Sequence, residues 1–172
     1  MKLQQYSLLS DVISAFAIVV SLIFVGVQVN ENAAAIRSAT ANSATDLMMS
    51  WYETVGSDAQ RSTTYLNGIT DPDTLSREEK YQFMMMVHLL MLAQQNAFYL
   101  TLEGTLDKEI RDTITKTLIY IKDRPGFYLY WKQRRMVFRP DFADYVDLLL
   151  LDNTDTSSYV YKSLPKNPVV IQ

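Results

Sequence analysis

Cysteine is absent from the 172 residues, and histidine occurs only once. The lack of thiols excludes disulfides, thiolate zinc sites, iron–sulfur ligation and cysteine nucleophiles. A single imidazole also excludes most histidine-rich metal sites and most serine–histidine catalytic arrangements. Five glycines and five prolines are few for this length, so we expect neither a glycine-rich phosphate loop nor a fold with many tight turns.

The charge balance is close to neutral, with 16 basic and 19 acidic side chains and a formal charge of −3. Such a chain does not bind nucleic acid through its overall electrostatics, so we expect no nucleic-acid partner. No nucleophile elbow, P-loop, HExxH or dinucleotide-binding motif occurs. The sequence therefore predicts a protein that is not an enzyme and holds no cofactor.

An uncharged run of nineteen residues lies near the N-terminus, between Asp11 and Glu31, and twelve of its members are Val, Ile, Leu or Phe. A helix of this length rises about 28 Å, close to the ~30 Å hydrocarbon core of a bilayer. The twelve apolar side chains favour insertion by roughly 4 to 7 kcal/mol, before the penalties for Ser14, Ser21 and Gln28. The run predicts a single transmembrane helix within residues 1–31.

Two other interpretations of this run stay open from the sequence. Residues 33–35 are all Ala and could form a signal-peptide cleavage site, although Asp11 abuts the run and the run is long for a signal core. A buried core helix would need more surrounding chain than this protein has. The basic residues that flank the run, Lys2 before it and Arg37 after it, favour a cytoplasmic N-terminus only weakly. The side of the membrane on which the soluble domain lies is therefore undetermined.

Helical patterns dominate the remainder, so the predicted class is all-α. The first helix meets no strong turn signal before Gly56 and should run on as one long rod. A short helix should then end near Leu66, closed by Asn67-Gly68. Ser76 and Glu79 have the spacing of a capping box, which opens the next helix.

Later breaks divide the remaining chain into further helices. Gly104 should end the central helix, and Thr105 should cap the one after it. Residues 123–126 read Asp-Arg-Pro-Gly and should break that helix. A short aromatic helix from Phe127 to about Val137 follows, and Pro140 suits the first turn of a last helix that runs to Asp152.

These elements predict a compact helical bundle over residues 32–152 and an extended tail over residues 153–172. The tail contains more apolar residues than a solvated segment needs, so we expect part of it to dock on its own bundle or on a neighbour. Those residues are Tyr159, Val160, Tyr161, Val169, Val170 and Ile171.

Small and polar residues recur along the first helix at spacings of three or four, with Val25 as the exception. In lipid, helices associate through small residues that permit close approach and through polar side chains that bond across the contact. We therefore predict a helix–helix seam between copies of the chain, with a contact inside one chain as the alternative. The predicted seam consists of Ser10, Ser14, Ala17, Ser21, Gln28, Asn32, Ala35, Ala39 and Asn42.

The same seam could instead line a pore in a homo-oligomeric channel. Ser14, Ser21 and Gln28 are acceptable pore linings, but no ring of charge accompanies them. His88 suggests a third class, an enzyme or ligand sensor with a pocket near residues 94–96. Its surroundings are mainly Met, and Met85 stands where a bridging carboxylate would be needed, so a core histidine is the simpler interpretation.

Residues 116–139 carry seven basic side chains and one acidic one, and the segment from Asp141 to Asp155 is acidic. The two segments could pack together and neutralise each other. Alternatively, the basic face could lie on anionic lipid headgroups, at about 1 kcal/mol per charge near the surface. The candidate lipid-facing residues are Lys132, Arg134, Arg135 and Arg139.

One aromatic pattern follows the apolar run, which itself reads Ile-Ser-Ala-Phe-Ala-Ile-Val-Val-Ser-Leu-Ile. Its residues are Gly126-Phe127, Tyr130-Trp131, Arg134-Arg135, Phe138, Phe142 and Tyr145-Val146-Asp147. This combination resembles a widespread group of uncharacterised bacterial membrane proteins with one N-terminal transmembrane helix and a small helical domain. The resemblance implies a single-pass inner-membrane protein and supplies no activity or cofactor. Arg139 stands where related sequences carry a capping Ser, so that cap is not assured here.

The sequence as a whole predicts a membrane-anchored helical scaffold or interaction subunit that self-associates through its first helix. The lipid bilayer and a second copy of the chain are its expected partners. Two other roles stay open, a homo-oligomeric channel and an accessory subunit of a larger membrane complex.

Overall fold

The computed structural model describes residues 2–151, with side chains from residue 13 onward, and every regular element in this range is helical. This confirms the predicted all-α class. The six α-helices of the described range are α1 (Lys2–Gly56), α2 (Ala59–Thr70), α3 (Arg77–Leu102), α4 (Lys108–Ile121), α5 (Pro125–Arg134) and α6 (Pro140–Leu150). Two 3₁₀ turns, Pro72–Thr74 and Arg135–Val137, join α2 to α3 and α5 to α6. The predicted extended tail lies outside the described residues.

The chain divides into two compact units, Met1–Thr40 and Ala41–Gln172. Helix α1 belongs to both, because it runs without interruption from Lys2 to Gly56. The predicted end of the helix at Gly56 is therefore confirmed. The proposed boundary at residue 31 concerns where the membrane segment ends, and it stays a prediction.

The first unit consists of α1 alone, and its apolar stretch is not covered by protein. One helix, Ile13–Gly56, is long and apolar enough to cross a membrane, and 0% of its most apolar window is buried. Phe16 is 70% exposed and Val29 is 62% exposed. Exposed apolar side chains at this density are what a bilayer covers. The helix is therefore compatible with a membrane span, and a signal sequence would look the same.

The core of the second unit is built around α3, whose side chains are buried on most faces. Phe83, Val87, Leu90 and Met91 are each fully buried. The end of α1 packs against this core through Trp51, whose indole N–H donates a 3.0 Å hydrogen bond to the carbonyl oxygen of Met86. A long apolar helix needs neighbours on all sides, and the five other helical segments of this unit supply them.

Local chemistry sets several helix ends as expected. Ser76 accepts from the Glu79 amide while the Glu79 carboxylate accepts from the Ser76 amide, which completes the capping box. The Ser76 backbone hydrogen bond, with a smaller contribution from the Ser76 hydroxyl, lowers the pKa of Glu79. Gly104 follows α3 with φ of +72°, a conformation that glycine adopts without strain. Pro140 occupies the first turn of α6, and Arg139 provides no side-chain cap.

The predicted boundaries of four helices are wrong. Helix α5 ends at Arg134, before the predicted Val137, and α6 ends at Leu150, before the predicted Asp152. The cap of α4 is Asp107 and not Thr105, whose hydroxyl instead donates to the carbonyl oxygen of Leu100. Helix α2 continues through Asn67-Gly68 to Thr70. Gly68 serves packing here, because a Cβ at this position would overlap the ring of Phe83.

Candidate functional site

The predicted seam residues of α1 are exposed to solvent wherever their side chains are described. Ser14, Ala17, Ser21, Gln28, Asn32, Ala35, Ala39 and Asn42 are all in this class, and the Ser10 side chain lies outside the described set. At about 100° per residue, these eight positions fall within an arc of roughly 80° on one side of α1. The seam therefore lies on one side of α1. Almost every side chain of residues 13–43 is exposed, so exposure does not distinguish the seam from the other sides of the helix. The pairing of the seam with a second chain stays a prediction.

Within the second unit, the seam face and the packed face of α1 differ. Ala44, Met48 and Trp51 are buried against the bundle, whereas Asn42 is exposed. Asn42 lies about 160° around the helix from Ala44. The seam at this level therefore takes no part in packing within the chain, which weighs against the interpretation of an intrachain contact.

His88 pairs with Tyr130 across the α3–α5 contact. The His88 Nδ1 atom lies 2.7 Å from the Tyr130 hydroxyl oxygen, and the ring also packs against Phe138. Burial, followed by the positive charge of Arg134, lowers the pKa of His88. Burial raises the pKa of Tyr130, so its hydroxyl stays protonated. A neutral His88 can accept that proton in a hydrogen bond, which is the behaviour of a satisfied structural histidine.

The polar residues near His88 do not form one pocket with it. Gln94 is buried and donates through Nε2 to the carbonyl oxygen of Ile114 on α4. The Gln95 side chain accepts from the backbone amide of Arg139. The His88 ring itself forms a hydrogen bond with the Tyr130 hydroxyl. Each polar group meets a different element, so the idea of a shared ligand pocket finds no geometric support among these residues.

Arg135 joins the basic segment to the acidic last helix. Its Nε atom donates to Asp147 Oδ2 at 2.8 Å, and Nη2 donates to Asp144 Oδ1 at 2.8 Å. Asp147 also accepts from the Trp131 indole N–H at 2.8 Å. The hydrogen bond from Arg135, reinforced by that from Trp131, lowers the pKa of Asp147. This pairing favours mutual neutralisation for Arg135 over free contact with lipid.

Arg139 is engaged in the same way at the start of α6. Its guanidinium lies 4.0 Å from the centroid of the Tyr99 ring, and Nη2 lies 3.2 Å from Asp141 Oδ2. The Tyr99 hydroxyl donates to Asp141 Oδ1 at 2.7 Å. That hydrogen bond is the main reason that the pKa of Asp141 is lowered, while burial and the same bond raise the pKa of Tyr99 to about 12.

Lys132 and Arg134 differ from these two arginines, because neither forms an ion pair within residues 13–151. Lys132 is exposed and Arg134 is half-buried. The four predicted lipid-facing bases therefore separate into a pair held by α6 and a pair with no acidic partner in the described chain.

A groove of about 450 Å³ lies between the end of α1 and α4. Its lining is mostly apolar or hydroxyl-bearing and includes one carboxylate: Thr45, Met48, Tyr52, Glu109, Ile110, Thr113, Ile114 and Thr117. Glu109 is the only carboxylate in this lining, and the other ionisable group there is the phenol of Tyr52. Within the described residues, no group of three His, Cys, Asp or Glu could hold a metal ion.

Sequence reasoning missed the exposure of the turn after α5. Met136 is 86% exposed and Val137 is 56% exposed. The sequence predicts these residues as part of an aromatic helix, and nothing in their local pattern marks the change to a 3₁₀ turn.

Comparison with known proteins gives no matching family model, no similar curated protein and no similar solved structure.

Proposed function

We propose that the protein is a non-enzymatic, membrane-anchored helical scaffold or interaction subunit that associates with its own copies through α1. In this proposal the helix crosses a bacterial inner membrane once, and the bundle of the second unit presents surfaces for contact. The observation that carries it is the face of small and polar residues on an exposed apolar helix, which Phe24 and Val25 interrupt between Ser21 and Gln28.

The side chains on one side of α1 suit a lipid environment better than those on the seam. Large side chains such as Phe16 and Ile23, at 70% and 63% exposure, suit acyl chains. Polar Ser14, Ser21 and Gln28 do not, because their hydrogen-bonding groups would lack partners in hydrocarbon. A second helix seated on that face satisfies these groups and comes close where the seam side chains are small, although Phe24 and Val25 interrupt the seam between Ser21 and Gln28.

The bundle supports a binding role over a catalytic one. Its polar side chains are largely engaged with each other, as the Arg135–Asp147 and Tyr99–Asp141 contacts illustrate. The one perturbed imidazole, His88, pairs with a Tyr130 hydroxyl whose own pKa is raised. Such groups hold helices together and are poorly suited to accept or release protons near neutral pH.

The test is the mass of the full-length protein in mild detergent at micromolar concentration, measured by light scattering after size exclusion. We expect an oligomer, and we expect S14L/S21L to weaken it about tenfold, since each lost interhelical contact is worth roughly 0.6 to 1 kcal/mol. The matched control is A15L/G26L. It makes two small-to-large changes in the same span on the opposite side of α1, and a Cβ at Gly26 meets nothing within 4 Å.

Four results would count against the proposal. A protein that is monomeric at micromolar concentration would show that the seam does not pair two chains. An equal loss of assembly in both double variants would show that the loss does not depend on the seam residues. Single-channel conductance in planar bilayers, abolished by S14L/S21L, would instead favour the pore. A wild-type chain that is monomeric yet co-purifies with a stoichiometric membrane partner would favour an accessory subunit.

A further inference from the structure

Three polar side chains meet at the contact between α3 and α5. We call this group the α3–α5 cluster and define it by His88, Tyr130 and Arg134. His88 Nδ1 lies 2.7 Å from the hydroxyl oxygen of Tyr130, which is fully buried. Arg134 follows Tyr130 by four residues, so the two side chains lie on the same face of α5. His88 and Arg134 are only half-buried, and the cluster therefore stays accessible from solvent.

The hydrogen bond within the cluster decides which imidazole nitrogen carries a proton. Burial raises the pKa of Tyr130, so its hydroxyl stays protonated. A buried O–H without an acceptor is costly, and His88 Nδ1 is the acceptor that this hydroxyl meets in the described chain. We therefore assign Tyr130 as the donor to Nδ1, which leaves the proton of the neutral imidazole on Nε2.

The remaining donors of the cluster have no acceptor among residues 13–151. Neither His88 Nε2 nor the guanidinium of Arg134 makes a hydrogen bond there, and Arg134 forms no ion pair. The neighbouring Arg135 differs, because Asp144 and Asp147 accept its hydrogen bonds. Arginine is always charged and presents five N–H donors, so the half-buried Arg134 favours an anionic partner.

The electrostatic environment of the cluster is positive. Burial is the main reason that the pKa of His88 is lowered, and the charge of Arg134 lowers it further; no carboxylate of the described chain acts on it. The rings of Tyr130 and Phe138 pack against the imidazole and limit its contact with water. Electrostatic attraction is stronger where water is partly excluded. An anion at this position would thus meet donors and no like charge.

We propose that the α3–α5 cluster binds a tetrahedral oxyanion, the group shared by free phosphate, phosphate esters and phospholipid headgroups. The planar fork of Arg134 would hold two oxygens, and the Nε2–H of His88 would donate to a third. A carboxylate has no third oxygen, so a tetrahedral anion suits these donors better. This site goes beyond the proposed scaffold role, because it gives the bundle a ligand of its own.

The only histidine of the chain supplies the measurement. Full-length protein without a histidine tag, carrying isotope-labelled histidine in neutral maltoside micelles, gives one imidazole signal by NMR. We titrate it at neutral pH with sodium phosphate against sodium chloride of equal ionic strength. The signal should follow a saturating curve with a Kd of about 1 mM, as expected for a few charge-assisted hydrogen bonds to a small ion.

The pH dependence gives a second measurement. A bound anion stabilises the imidazolium and should raise the pKa of His88, which burial and Arg134 lower in the free protein. Sulfate is the probe, because its charge is constant between pH 5.5 and 7.5. Tyr130 stays protonated and Arg134 stays charged over this range, so the change belongs to His88. Sulfate should bind roughly tenfold more tightly to the protonated form, which corresponds to an increase of about one in the pKa.

Substitutions on α5 separate the cluster from general positive charge. R134Q removes the fork and should weaken phosphate binding at least about tenfold. K132Q is the matched control, because it removes one charge from an exposed position about 200° around the same helix and should leave the Kd within about twofold. R134K keeps the charge without the fork and should bind with intermediate affinity. Fluorescence of Trp131 checks that each variant is folded.

Phosphatidylglycerol added to the same micelles distinguishes the two sources of the anion. A saturating shift with the lipid alone assigns the site to a headgroup, and one with phosphate alone assigns it to a soluble ligand. No shift with either probe overturns the inference, as does a shift that is linear in salt and unchanged in R134Q. None of these results depends on the mass of the protein in detergent, so failure of this site is distinct from failure of the seam.

Discussion

The close approach of α5 to α2 at Gly126 gives a quantitative prediction for G126A. Gly126 lies in the first turn of α5 and faces α2. A Cβ added there would overlap the carbonyl oxygen of Gly68, and it would lie 2.7 Å from the Cα of Ile69 and 2.8 Å from the carbonyl carbon of Gly68. All three are backbone atoms and cannot rotate away. Helix α5 must therefore move off α2, and the buried rings that it carries must move with it.

The magnitude follows from the cost of overpacking. Inserting one methyl group into a packed core costs about 1 to 3 kcal/mol, and backbone overlap places this case at the upper end. The higher helix propensity of alanine offsets this cost by less than about 1 kcal/mol, because the site is in the first turn. We expect a net loss of roughly 2 to 3 kcal/mol in the free energy of unfolding, which lowers Tm by about 10 °C in a bundle of this size.

Tryptophan fluorescence measures this change without interference from α1's apolar stretch. Both tryptophans of the chain, Trp51 and Trp131, lie in the second unit and are 5% exposed. Urea unfolding in mild detergent should report the bundle. The matched control is G56A, where a Cβ meets nothing within 4 Å; this variant should be as stable as the wild type or more so by up to ~1 kcal/mol. A G126A protein within about 0.5 kcal/mol of wild type would refute the reasoning.

Two further predictions concern buried polar groups. The Thr64 hydroxyl is buried without a hydrogen-bond partner among the described residues, so T64V should stabilise the bundle by about 1 to 2 kcal/mol. The control T63V, at the exposed neighbouring position, should change the stability little. A lower Tm for T64V would contradict this prediction. The pKa of His88 is lowered from 6.5 in the folded chain, so the unfolded chain binds the proton first and stability is lost as pH falls below about 6.5. Thermal melts from pH 7.5 to 5.5 should show this loss in wild type and a flatter profile in H88Q, and identical profiles would count against it.

Predictions that depended on local chemistry were the most accurate. The Ser76–Glu79 capping box, Pro140 at the start of α6 and Gly104 after α3 act on backbone groups within a few residues. Such effects need no knowledge of the remainder of the chain. The repeating apolar positions of α4 are likewise a local pattern, and Ile114 and Leu118 are buried as that pattern indicates.

Predictions failed where a residue type that usually marks a turn lies inside a helix because packing requires it there. Asn67-Gly68 has the sequence of a helix end, yet α2 continues to Thr70 and Gly68 makes room for the ring of Phe83. The lack of a Cβ on Gly126, 58 positions further along the chain, lets α5 approach the backbone of Gly68, and no local pattern links the two. Which basic side chains pair with α6 depends on tertiary contacts in the same way.

The amino-acid sequence alone determined that the chain is helical, that α1 runs unbroken to Gly56, and that one face of α1 is small and polar. These properties arise from residue spacing at 3.6 per turn and from caps within a turn of each helix end. Only the tertiary structure decided that Arg135 and Arg139 pair with α6, that Lys132 and Arg134 do not, and that Met136 faces outward. Side chains distant in sequence compete for the same partners, and three-dimensional packing alone selects which of them meet.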